Sequence, residues 1–68
     1  MGDNEVKLVE GYLRLEQELT EANNNNDNYN AKIIKSKMEG IVFSYETYTS
    51  HHWSTFEHLL ERYARYNK

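Results

Sequence analysis

The feature that most constrains this chain is the spacing of its apolar and aromatic residues between Ile34 and Tyr66. They fall at Ile34, Met38, Ile41, Tyr45, Tyr48, His52, Phe56, Leu59, Tyr63 and Tyr66. Steps of four and three alternate, with one extra step of four around His52. That is the period of an α-helix turning one face to a partner. Whatever else the chain does, the remaining residues must cover this face.

The stretch before it has the same period. Leu8, Tyr12, Leu15, Leu19 and Ala22 step by four and three, and Val6, Val9 and Leu13 widen the stripe. A first helix over about 5–22 is expected, with Asp3 or Asn4 as its N-cap and Glu5 where the helix dipole favours an anion. Gly11 lies within it and permits close approach of a neighbour. The asparagine run from 23 to 30 is the clearest break. Asparagine and aspartate side chains compete for nearby backbone groups and favour turns. The run is not a calcium loop: Asp27 is its only acid and it has no glycine.

Two readings compete for the next stretch. The residues from Ile41 to Thr49 are rich in β-formers, so an α+β alternative has a hairpin at 32–49. Polar residues interleave with apolar ones at helical spacing throughout, however, and only Phe43 faces the wrong way. The expected fold class is therefore all-α: a single domain over 1–68, with a short acidic helix against a second helix over about 31–66. That second helix would be about 54 Å long, against a globule diameter of about 28 Å for a chain of this size. Either it breaks near 50–54, where Ser54 to Glu57 fits a capping box, or it runs through a stutter at His52. A continuous helix is the preferred reading. Its uncovered half implies a homodimer in a four-helix, coiled-coil-like arrangement.

Charge narrows the function. Residues 1–27 carry seven acids against Lys7 and Arg14, whereas 28–68 carry six bases against four acids, and the net charge is −3. The asymmetry suits two halves that pack together and argues against general phosphate-backbone binding. The chain has no cysteine, hence neither disulfides nor thiolate metal sites. A membrane-spanning stretch and a signal-peptide core are not visible, so a soluble cytoplasmic protein is the expectation.

His51, His52 and His58 lack the i, i+4 spacing of a helical zinc site, so no metal and no cofactor is expected. His52 at the seam would instead confer a pH response on an interface. A nucleophile with its base, a phosphate-cradling glycine loop and paired buried carboxylates are all missing, so the chain is not expected to be an enzyme. Aromatics at helical spacing usually form core, but tyrosine and tryptophan also anchor interfaces. The candidate interaction residues are Tyr45, Tyr48, His52, Trp53, Phe56 and Tyr63, with Lys32 and Lys35 for acidic or phosphate groups on a partner.

The expected function is a small regulatory protein that binds itself and an unidentified protein partner. An asparagine- and tyrosine-rich composition suits an inhibitor encoded by a phage or plasmid. The alternative is a helical, dimeric nucleic-acid-binding module.

Overall fold

A computed structural model of the chain describes residues 2–48 and 55–66. Its elements are three helices, α1 (Asp3–Asn24), α2 (Asn28–Tyr48) and α3 (Phe56–Tyr66). Among the described residues there is no strand, and the β-prone residues 41–48 complete α2.

α1 starts earlier than its composition suggests. Gly2, in extended backbone, is the N-cap in place of Asp3 or Asn4. It has no side chain to offer, but the Glu5 carboxylate reaches back and accepts its N–H at 3.3 Å. Asp3 and Glu5 in the first turn then favour the positive helix end.

The asparagine run, expected to loop over 23–30, is mostly helical: only residues 25–27 lie between α1 and α2. Asn26 takes φ 57°, a left-handed conformation that asparagine tolerates better than most residues. Asn26 N–H donates to Asn23 O at 3.1 Å and Asp27 N–H to Ala22 O at 2.8 Å. This is a Schellman closure, which satisfies the last carbonyls of α1.

Asp27 then opens α2. Its Oδ1 accepts the Asn30 N–H at 3.3 Å, and its carbonyl accepts the Ala31 N–H at 3.0 Å. One residue ends the first helix and caps the second, so the hairpin needs only three linking residues. Asp27→Ala is expected to cost about 1 kcal/mol, the usual value of an N-cap. Asn26→Val is expected to cost a similar amount through left-handed strain. Urea denaturation would check both, and no loss in either would contradict this turn.

Among the described residues the core has two clusters. Near the turn, Ala22, Ala31, Ile34 and Met38 are buried, with Leu15 and Leu19 packed against them. At the open end of the hairpin, Val9, Tyr45, Phe56 and Leu59 form the second. The Phe56 ring sits between Tyr12 of α1, centroid 4.7 Å away, and Tyr45 of α2, 5.8 Å away and edge-on. All three helices meet there.

This packing overturns the continuous second helix. Eleven residues of unbroken helix would separate Tyr45 from Phe56 by about 16 Å, too far for ring contact. Instead α3 turns back onto the hairpin. Thr55, rather than Ser54, is its N-cap: Thr55 Oγ1 accepts the His58 N–H at 3.2 Å. The helix begins at Phe56, whose own N–H donates to Glu46 Oε2 on α2 at 3.1 Å. A side chain of α2 thus helps to cap α3. The long uncovered half-helix therefore does not exist, and the length argument for a dimer goes with it.

Candidate interaction surface

Of the eight candidate residues, the five whose side chains are described, Tyr45, Phe56, Tyr63, Lys32 and Lys35, do not share one surface. Tyr45 and Phe56 are core residues, 6% and 2% exposed, and offer no face to a partner. Tyr63 is half-buried against the same cluster. Lys32 and Lys35 are exposed on α2. Tyr48 ends α2, and its side chain, like His52 and Trp53, lies outside the described residues. His51 lies outside them too. His58 is exposed on α3, and no group of metal-ligating side chains is found among the described residues. No helix among them is long and apolar enough to cross a membrane.

Polar side chains fasten α3 at its outer edge. Arg62 Nη2 donates to Glu5 Oε2 at 3.3 Å and to the Tyr45 hydroxyl at 3.2 Å. The acidic first helix and the basic chain end meet here, as the charge asymmetry suggested. Both charged partners are substantially exposed, so the pair orients α3 more than it stabilises it.

The Tyr63 hydroxyl donates to Glu10 Oε2 at 3.3 Å. Partial desolvation, the charge of Glu10 and this hydrogen bond raise the Tyr63 pKa above its ordinary 10.0. A raised pKa means that the folded chain holds the proton more tightly than the unfolded one. Its contribution is complete below the ordinary tyrosine value and is lost as pH rises through the raised one. Wild type should therefore lose stability more steeply than Tyr63→Phe does as pH rises above about 10. Parallel urea midpoints across that range would contradict the assignment.

Besides Tyr66 at the end of α3, two overlapping exposed apolar features stand out among the described residues, both on α2. The first is an open groove of about 780 Å³ against α1, lined by Tyr12, Leu19, Met38 and Val42, by Lys35, Glu39 and Glu46, and by Ser36, Gly40 and Phe43, which it shares with the second. The second is the side of α2 opposite the core. Tyr29 is 77% and Phe43 71% exposed there, with Ile33 between them at 37%. The sequence marked Phe43 only as a misfit in a helical pattern. The signal for a second face was present at Tyr29, Ile33 and Phe43, which share their own helical spacing but fall outside the main stripe.

Compared with known proteins, the chain matches no family model, no curated protein and no solved structure.

Proposed function

We propose that this chain is a non-enzymatic interaction protein, a homodimer that occupies a surface of a second protein and so regulates or inhibits it. The observation that carries the reading is the two-sided character of α2. Its inner side holds Ile34, Met38 and Tyr45 in the core, while its outer side keeps Tyr29 and Phe43 in solvent. A helix that keeps large apolar residues on a second side offers that side to another chain. The part of the groove facing α1, lined by Tyr12, Leu19 and Met38, is the surface offered to the second protein, and Lys35 and Glu39 beside it set the charge pattern that the partner must match. An asparagine-rich acidic chain of this size suits a phage- or plasmid-encoded regulator acting in the host cytoplasm.

The test is affinity capture from the source cell, followed by titration of the purified captured protein against wild type and a Lys35→Glu variant, whose change lies outside the Tyr29, Ile33 and Phe43 row of α2. Binding weakened at least about tenfold by the reversal, or about 1.4 kcal/mol, supports the reading. Failure to retain any protein, together with steep salt-dependent binding of duplex DNA or RNA, overturns it in favour of a nucleic-acid module.

A further inference from the structure

Tyr29, Ile33, Ser36, Gly40 and Phe43 lie along the outer side of α2, all exposed. Their steps are four, three, four and three, the mean period of a two-helix seam. A heptad-spaced row on a helix whose opposite side is already buried is not needed by the monomer. We propose that this row is a self-association seam: two copies pack antiparallel along α2, about a two-fold axis near Ser36. The inference rests on the homodimer in the functional reading and specifies its geometry.

Side-chain size favours the antiparallel arrangement. About Ser36, Tyr29 of one copy meets Phe43 of the other at each end of the seam. Ile33 falls opposite Gly40, and Ser36 meets its own copy. Large residues thus face small ones or pair ring on ring. A Cβ built on Gly40 meets nothing within 4 Å in the monomer, so the space for an incoming isoleucine is open. A parallel pair would set Gly40 against Gly40 and leave a gap between two bulky ends.

Charge points the same way. At about 100° per residue, Lys32 and Glu39 fall on one flank of the row and Lys37 on the other. Antiparallel helices bring like flanks together, so Lys32 of each copy faces Glu39 of the other, twice by symmetry, against one Lys37–Lys37 approach across the axis on the other flank. Parallel helices bring opposite flanks together and would set Lys32 against Lys37. Such rim pairs select orientation more than they add affinity.

Surface area is consistent with a missing copy. The chain exposes 5363 Å², whereas a compact protein of 8.1 kDa exposes roughly 4,500 Å². The chain is correspondingly extended, with a radius of gyration of 13.1 Å against about 11 Å for a compact chain of this length.

Sedimentation equilibrium on the full chain tests the proposal with four proteins: wild type, Phe43→Glu, Lys32→Glu, and Lys32→Glu with Glu39→Lys. Wild type should dimerise in the micromolar range. Phe43→Glu should raise the dissociation constant at least about 100-fold, with an unchanged circular dichroism spectrum because the ring is outside the core. Lys32→Glu should weaken the dimer several-fold, and the double exchange should restore it. A tighter dimer on Lys32→Glu would indicate parallel packing and overturn the geometry. A wild-type dimer indifferent to Phe43→Glu would overturn the seam and leave the homodimer standing. A monomer at millimolar concentration would overturn both, while partner capture through the groove would still be measurable.

Discussion

Replacing Phe56 with alanine is expected to lower the stability of the chain by about 3–5 kcal/mol, the usual cost of deleting a buried aromatic ring. The ring is 2% exposed and, among the described residues, is the one side chain in ring contact with both α1 and α2. Its loss leaves a cavity bordered by Val9, Tyr12, Tyr45 and Leu59, which sit on three separate helices. Closing that cavity requires the helices to move together, so relaxation is limited. Total stability for 68 residues is about 3–10 kcal/mol by the usual per-residue range. The variant should therefore be largely unfolded, or retain the hairpin with α3 detached. Urea denaturation followed by circular dichroism reads the effect. A loss below about 1 kcal/mol would mean that Phe56 is not the junction of the fold.

The second large effect compares two adjacent isoleucines. Ile34→Ala should cost about 2–5 kcal/mol. Ile34 is 8% exposed among Ala22, Ala31 and Met38. Two of those neighbours are alanines, which are too short to refill the space, so the upper half of the range is expected. Ile33, one residue earlier, is 37% exposed on the opposite side of α2. At concentrations where the chain is monomeric, Ile33→Ala should stay within about 0.5 kcal/mol of wild type. The pair therefore reads out which side of α2 faces inward. Equal losses would mean that the helix is rotated from the orientation described.

Local spacing made much of this architecture legible in the sequence. The stripes at Leu8–Ala22 and Ile34–Tyr45 identified α1 and α2. The helical interleaving of polar residues outweighed the β-propensity around Ile41–Tyr48, because periodicity reports a packed face and propensity only a weak preference. The loop boundaries were less legible. Asn23, Asn24 and Asn28–Asn30 are poor helix formers, yet the Schellman closure at Asn26 and the cap at Asp27 hold them in the end turns of their helices. Composition alone reports the preference and not the tertiary context that overrides it.

The helix break was present in the sequence as the irregular step at His52 and the cap signal at Ser54–Glu57. A stutter and a break give the same pattern until the packing is known. For the same reason the sequence alone puts Tyr45 and Phe56 at a contact surface: on a straight helix they extend the stripe beyond any cover, whereas on a folded-back one they close on each other. Tyr66 belongs to the same periodic row but is 58% exposed, because the row outlasts the surface of α1 that α3 packs against. Phe43 illustrates the converse. A residue that breaks a pattern in the sequence marks, in the fold, a second face.

All of these assignments depend on α3 folding back, since that decides which aromatic residues fill the core and which remain available to a partner. The most direct measurement is the nuclear Overhauser spectrum of the wild-type chain at monomeric concentration. The account predicts cross-peaks from the Phe56 ring to the rings of Tyr12 and Tyr45 and to the methyl groups of Val9. A Phe56 ring with contacts only to residues one helical turn away on either side would contradict it and restore a continuous second helix.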